Sequence, residues 1–492
     1  MLFNHMKIKL LALLLLSLLS FKTIKKDRPP NILFIAVDDL RPELGCFGNE
    51  IIKSPNIDKL ATTGHLFKNH YVAVPTCGAS RHALLTGLYP RTKRHLRNSI
   101  TAEVLTNSAE KENPETFIHQ LKRNGYYTVG IGKITHNPDG HVYGYTESPD
   151  NTPLELPYSW HEMLLDDAKW GSGHNAFFGY ANGTNRNTLK KQVKPYEMLE
   201  VADDAYPDGL TADLTISKLK ELKDRDEPFF LGVGFFKPHL PFNAPKKYWD
   251  LYNESDITLS PNPFVSKNTS RADLHSMGEF NQYELGDEKA AIGTPLSDEY
   301  ARKLRHGYYA CVSYVDAQIG KVIKELEAQG LAENTIIVLW GDHGWHLGDH
   351  TIWGKHTIYD RAVHSPLIIK IPNDQSGTKQ NIVSTMDIYP TLMDYCGLKM
   401  PYESDGISLR AVMENKSSKN WRNTAYSYFN NGISMRTDKY RITKYFRNEA
   451  PQIELFDHTR DPNETENVAK KYPEVVKKLM PLLNKGDFGI YQ

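Results

Sequence analysis

The sequence has 492 residues, 40% of them hydrophobic and 24% charged, which excludes an intrinsically disordered chain and exceeds what one small core can use. Its 59 Lys and Arg cancel its 59 Asp and Glu, so no net basic footprint points to nucleic acid, although a local basic pocket stays open. Four cysteines (Cys46, Cys77, Cys311 and Cys396) are too few for a disulfide scaffold, and none is needed at this size.

Lys7 and Lys9 precede an apolar run from Leu10 to Phe21, with Lys22, Lys25 and Lys26 behind it. This reads as a signal peptide over residues 1–25, too short to cross a bilayer comfortably, with an uncleaved anchor as the alternative. Export to the periplasm or outside the cell is expected. No later stretch is apolar enough for stable membrane insertion.

Next comes an unbroken apolar run, Asn31 to Val37, ending in Asp38-Asp39. Such a run suits a strand buried on both faces, as in a parallel sheet. A helix follows from Pro55, with Ser54 as its cap and Gly64 at its end. Thr116 to Asn124 predicts a helix and YYTVGIGK a strand. Thr211 to Leu222 is helical, and PFFLGVGF is another buried strand. Ser297 to Gln329 reads as one or two long helices, with Ser297 as cap and Cys311 in the core. NTIIVLWGDHG is a further strand. This alternation predicts an α/β fold, a large mixed but mostly parallel sheet flanked by helices.

The apolar strands end in Asp38-Asp39, Lys133 with His136, Lys237 with His239, and Asp342-His343. Ligands of open parallel sheets bind beyond the carboxyl ends of the strands, so four strands deliver chemistry to one edge. Two long irregular stretches, about 137–208 and 252–294, are expected to wall a cleft there. Within the first, Trp160, Trp170, Phe177, Phe178 and Tyr180 either face a sugar or anchor the insertion to the domain. The domain reading is a catalytic unit over residues 26–410 and a C-terminal α+β subdomain over 411–492, where short strands form an antiparallel sheet before a last helix.

Paired carboxylates suit calcium or magnesium, but adjacent residues in a strand point to opposite faces, so Asp38 and Asp39 can share an ion only if the chain turns there. A turn or helix cap is the alternative for such a pair. Asp342-His343 is a second pair, although the nearby His346, Asp349 and His350 also suggest zinc. In CGASRHALLTG, Cys77 to Gly87, a cysteine and an arginine four residues later stand at a loop-to-helix junction. The physics there predicts either an activated thiol or anion site, or a buried structural cysteine.

That segment resembles the signature of type I sulfatases: Cys, two residues, Ser, Arg, an apolar stretch, then Thr-Gly. NILFIAVDDLRPELGCFGN, SPNIDKLATTG, GYYTVGIGKITH, FFLGVGFFKPHLPF and ELFDHTRDPNETEN follow the family's order, and VDDLRPELGCFG, KPHLPF and DHGWHLGDH resemble its iduronate-2-sulfatase branch. The resemblance implies an alkaline-phosphatase-like sulfatase fold and hydrolysis of sulfate esters. It implies that Cys77 is oxidised to formylglycine (3-oxoalanine), whose hydrate is the nucleophile. It implies one calcium ion per chain, against Asp38, Asp39, Asp342, His343 and the modified Cys77. Arg81 would hold the hydrate and the ligand carboxylates. Lys133 would clamp sulfate, His136 would act as base, and His239 or Lys355 would protonate the leaving alcohol. The implied partners are a sulfated carbohydrate, such as a 2-O-sulfated uronic acid or pentose from glycosaminoglycan or algal ulvan, and a sulfatase-maturing enzyme. The usual signature has Pro two residues after the Cys. Ala79 stands there, a variant associated with radical-type anaerobic maturases of bacteria. Two rivals are a phosphatase or phosphonate hydrolase of the same superfold and a non-catalytic polysaccharide-binding relative.

Overall fold

The computed structural model describes residues 28–106, 114–416 and 421–491. The expected signal peptide, residues 1–25, lies outside the described residues. Among these, no helix is long and apolar enough to cross a membrane.

In chain order the strands are β1 (Asn31–Val37), β2 (His65–Tyr71), β3 (Tyr127–Gly132), β4 (Glu162–Leu164), β5 (Tyr196–Leu199), β6 (Phe229–Phe235), β7 (Phe242–Pro245) and β8 (Thr335–Gly341). Then come β9 (His346–Leu347), β10 (Trp353–Gly354), β11 (Leu367–Lys370), β12 (Gly377–Ser384), β13 (Ala425–Phe429), β14 (Gly432–Arg436), β15 (Tyr440–Tyr445) and β16 (Ile453–Asp457). The main sheet has eight strands in the order β12-β2-β11-β8-β1-β6-β3-β4. Only β11 runs antiparallel to its neighbours, β8 and β2. The sheet is therefore mixed and mostly parallel, as the sequence predicts.

β1 shows why its sequence is unbroken. Leu33, Ile35 and Val37 enter the core on one face, and Ile32, Phe34 and Ala36 enter the core on the other. Each fully buried side chain of this kind contributes about 1.5–3 kcal/mol. The principal helices are α1 (Pro55–Thr63), α2 (Cys77–Thr86), α3 (Phe117–Arg123), α4 (Pro207–Leu222), α5 (Asp298–Ala328), α6 (Ile388–Tyr395) and α7 (Pro473–Leu483). Residues of α1, α4 and α5 pack on the first face, and residues of α2, α3 and α6 pack on the second.

Two caps differ in outcome. Ser297 accepts a hydrogen bond from the Tyr300 N–H and starts α5, as expected. Ser54 makes no capping bond to α1. The Asn56 and Ile57 N–H groups instead donate to Asp316 of α5, at 3.2 and 2.8 Å, so a distant carboxylate serves the orphan donors. Ser54 is occupied by the Gly45 N–H and Asp58. α4 begins at Pro207, four residues before the expected Thr211, because Pro is well suited to a first turn.

β13 to β16 form the expected antiparallel sheet, with α7 packed on it. Its core is shared with Ala73, Val74, Ala79 and Ala83, and Tyr428 N–H donates to Ala73 O at 2.8 Å. The C-terminal sheet thus braces the chain on both sides of Cys77.

Candidate active site

Strand ends and one helix start build the site. β1 ends in Asp38 and Asp39, β3 leads to Lys133 and His136, β6 leads to His239, and β8 ends in Asp342 and His343. α2 begins at Cys77 and carries Arg81 one turn on, while Lys355 follows β10. Asp39 has φ of 58°, a left-handed turn directly after the strand. That turn brings the two adjacent carboxylates to one side, the condition for sharing an ion.

Asp38, Cys77, Asp342 and His343 present ligand atoms within 4.8 Å of one another, as do Asp38, Asp39, Cys77 and His239. His343 Nδ1 lies 2.9 Å from Gly344 O, a pure acceptor, so Nδ1 carries the proton and Nε2 faces the cluster. Nε2 is 3.2 Å from Cys77 Sγ and 3.4 Å from an Asp39 oxygen. Arg81 donates through Nε to Asp342 at 3.0 Å and through Nη1 to the carbonyls of Lys133 and Ile134, with Nη2 3.5 Å from Asp38. Lys133 pairs with Asp38. Lys355 Nζ lies 2.9 Å from Asp39 and 3.3 Å from Cys77 Sγ.

The buried charges of this cluster shift one another strongly. Burial raises Asp38, but Lys133, His239 and Arg81 hold it well below the ordinary carboxylate range. Burial pushes Asp39 well above that range, aided by Asp38 and only partly opposed by Lys355. Burial and Asp38 also raise Asp342. Two ammonium groups and one guanidinium match the three carboxylates in formal charge, yet burial leaves Asp39 and Asp342 raised. Asp38 Oδ1 is buried without a hydrogen-bond partner. Three hard oxygen donors and an orphaned carboxylate oxygen fit a divalent cation such as calcium.

Above the cluster is a cavity of about 370 Å³. Cys77, Lys133, His136, His239 and Lys355 line it, so the predicted catalytic residues come together. His136 lies 2.9 Å from the Tyr145 hydroxyl through Nε2, and burial and then Lys133 hold it well below its ordinary pKa. His239 donates from Nδ1 to Leu240 O at 2.7 Å, and its Nε2 lies 3.0 Å from Glu279. Burial and then Lys355 lower His239 to about 4, against the pull of Glu279. Burial opposes the charge of Lys355, yet Asp39, Cys77 and Glu279 hold it well above its ordinary range.

Four sequence expectations need correction. Cys77 is not an activated thiol: burial and then Asp38 push it up to about 12, and Arg81 points to carboxylates rather than to sulfur. His346, Asp349 and His350 do not converge on a metal. Asp349 pairs with Arg41 at 2.9 Å, His346 meets Thr357, and His350 meets Ser266. Lys237 donates to the carbonyls of His239 and Pro241 and holds that loop instead of facing the cavity. Of the candidate aromatics only Phe177 and Phe178 line the cavity. Trp160 packs against Phe230, while Trp170 donates to the Tyr180 carbonyl.

Residues 30–398 match the family model described as Sulfatase, and residues 348–487 match that of the N-sulphoglucosamine sulphohydrolase C-terminal region. The chain belongs to the sulfatase family. It is a sulfuric ester hydrolase. It is 32% identical to human iduronate 2-sulfatase over 406 residues, covering 75% of this chain and 70% of that one. It is 30% identical to a sulfatase of Formosa agariphila over 497 residues, covering 97% and 93%. A protein solved in complex with its substrate D-glucosamine-2-N,6-O-disulfate shares the fold, with a TM-score of 0.68 and 22% identity over 94% of this chain and 98% of that one.

The sulfatase cavity also contains residues that the sequence reading missed. Glu279 holds both His239 and Lys355, the latter at 3.5 Å. Tyr145, Arg186, His275 and His356 complete much of the wall, and Asn98 accepts from the Gly78 N–H at 2.9 Å. Tyr145, Arg186, His275 and Glu279 come from the two long insertions. Their only signal in the sequence was the irregularity of those stretches.

Proposed function

We propose that this sulfatase removes sulfate from a sugar at the end of a sulfated oligosaccharide or polysaccharide, using a nucleophile made from Cys77 and one calcium ion. The observation that carries the reading is Cys77 lining a cavity of about 370 Å³, between three carboxylates and three cationic side chains. Oxidation of Cys77 to formylglycine gives a hydrated aldehyde, whose hydroxyl is the nucleophile that a thiol pushed up to about 12 is not. Asp38, Asp39, Asp342 and His343 are the residues that would hold calcium, which supplies positive charge against the sulfate oxygens.

The chain's own residues do the rest. Arg81 fixes Asp38 and Asp342 and so orients the ligand carboxylates. Lys133 and Lys355 place ammonium groups beside residue 77, where the transferring sulfate is most negative. His136 is held neutral by burial and accepts a proton from the residue-77 hydroxyl in the second half of turnover. His239 is the leaving-group acid in its imidazolium form: Nδ1–H is committed to Leu240 O, so the proton it gives is a second one on Nε2, which Glu279 favours against burial and Lys355. Its Nε2 faces the cavity beside Glu279, whereas Lys355 is committed to Asp39 and to the nucleophile.

The likeness to iduronate 2-sulfatase supports a 2-O-sulfated uronic acid or a similar pentose, from glycosaminoglycan or ulvan. Ala79 supports maturation by a radical-type anaerobic enzyme, and residues 1–25 support export to the periplasm or exterior of a bacterium. Sulfate release from a panel of defined sulfated oligosaccharides tests the reading. Turnover of end-sulfated members is expected; turnover of aryl sulfates alone would overturn it.

A further inference from the structure

Among the described residues six arginines are buried: Arg41, Arg81, Arg186, Arg305, Arg436 and Arg441. Five of them have a carboxylate within 4.0 Å. Arg41 meets Asp349, Arg81 meets Asp342, Arg305 meets Glu43, Arg436 meets Asp360 and Arg441 meets Glu464. Arg186 is the exception, although it is only 6% exposed. Its guanidinium carbon lies 3.5 Å from the centroid of the Phe178 ring and 5.5 Å from that of Tyr283. Nη1 is buried and has no hydrogen-bond partner.

A guanidinium cannot shed its proton at any working pH, so burying it unpaired carries a lasting desolvation penalty. Stacking on Phe178 offsets part of that penalty and holds the planar fork in place. Beyond the Tyr283 side chain the fork meets no carboxylate, and its Nη1 stays unpartnered. Arg186 lines the same cavity as Cys77, Lys133 and Lys355. It shares a neighbour with the leaving-group histidine, since the Phe178 ring on which it stacks has its centroid 6.1 Å from that of His239. The cavity's own carboxylate, Glu279, feels the charge of Arg186 but pairs directly with His239 and Lys355. The sulfate that reacts is served by the charges around Cys77. Arg186 therefore awaits a different anion.

We propose that Arg186 is a specificity-determining residue that binds a second anionic group of the substrate, a carboxylate or a second sulfate, on or beside the sugar that loses its sulfate. Both groups present two coplanar oxygens to a planar fork, which is the chemistry they share. This rests on the sulfated-carbohydrate reading given above.

The test compares wild type, Arg186→Leu and Arg186→Lys on four esters: an aryl sulfate, a neutral monosulfated sugar, the matching sulfated uronate, and a disulfated sugar. Arg186→Leu is expected to lose about 10- to 100-fold in kcat/KM on a doubly anionic sugar, mostly through KM, the range for a lost charge-assisted contact. It should change by less than about threefold on the aryl and neutral esters, which also shows that the variant folds. Arg186→Lys should fall between, keeping charge without the fork. A loss confined to the uronate identifies a carboxylate; one confined to the disulfated sugar identifies a second sulfate. Equal losses on charged and neutral sugars, or no loss on any, would overturn the proposal while the sulfatase reading stands. Wild-type turnover of the aryl sulfate with none of the sugars would overturn the carbohydrate reading and this proposal together.

Discussion

Acidification should weaken this fold steeply because it buries neutral histidines. His70, on β2 of the main sheet, is fully buried, with Nδ1 3.1 Å from Ser365 O and Nε2 3.0 Å from the Thr385 hydroxyl. Burial, and a smaller push from His364, lowers it to about 3. His82, on the helix that begins at Cys77, is lowered to about 3 by burial and by His95. Each binds fewer protons folded than unfolded below the free value of about 6.5, so stability rises with pH. The contribution is complete above about pH 6.5 and drains away as pH falls towards 3. Between pH 6.5 and 5.0 each loses about 1.36 kcal/mol per unit, or roughly 2 kcal/mol, and the two together about 4 kcal/mol. At about 2.1 cal/mol/K per residue that lowers Tm by about 4 °C in a chain of this size. Thermal melts in excess calcium at pH 7.5, 6.5 and 5.0 would measure it. His70→Gln should start from a lower Tm and lose about 2 °C of the acid-induced drop, to which other buried histidines such as His346 add. A wild-type Tm unchanged from pH 6.5 to 5.0, or an undiminished drop in His70→Gln and His82→Gln, would refute the reasoning.

Four further outcomes follow from the site. Exhaustive chelation should abolish activity and calcium restore it, and Asp342→Ala should lose activity while still unfolding cooperatively; restoration by zinc alone would contradict the donor set. His239→Ala should lose about 10²- to 10⁴-fold on sugar sulfates but far less on an aryl sulfate with an acidic phenol, since only the poor leaving group needs a proton; equal losses would move the acid to Lys355. Aldehyde at residue 77 should form on co-expression with an anaerobic maturase, and Ala79→Pro should let an oxygen-dependent one work. The fold admits that proline, because the first intrahelical bond of α2 is Ser80 N–H to Thr76 O and the Ala79 N–H precedes it. Complete conversion of the Ala79 chain by an oxygen-dependent enzyme would refute this. Sulfate release should be faster from short oligosaccharides than from intact polymer; equal rates per sulfate would exclude an end-acting pocket.

The catalytic side of the site was legible because its residues sit where strong signals stop. The run NILFIAV has to be a buried strand, so Asp38-Asp39 must stand at a sheet edge, and the same holds for Asp342-His343 behind TIIVLWG. β2 was not legible: HLFKNHY mixes charge with apolar residues because its middle is only half-buried. β11, with four residues, was too short to separate from a loop. The thiol misled for a physical reason, since a helix start and an arginine lower a thiol only when both reach it. Here burial and Asp38 dominate, and Arg81 turns to the carboxylates. Glu279 and Arg186 had no sequence signal beyond the irregularity of their insertions. A single charged residue in an irregular insertion reads as solvated surface until the fold places it against His239 or Phe178.

The central claim is that residue 77 works as an aldehyde rather than as a thiol. Preparations made with and without a sulfatase-maturing enzyme should be digested, and the peptide spanning Cys77 quantified by mass spectrometry beside turnover of an aryl sulfate. Turnover should rise in proportion to the aldehyde fraction and vanish for the all-thiol protein and for Cys77→Ser. Full turnover by protein carrying only the thiol, or an aldehyde-bearing, calcium-loaded protein without turnover, would contradict the account.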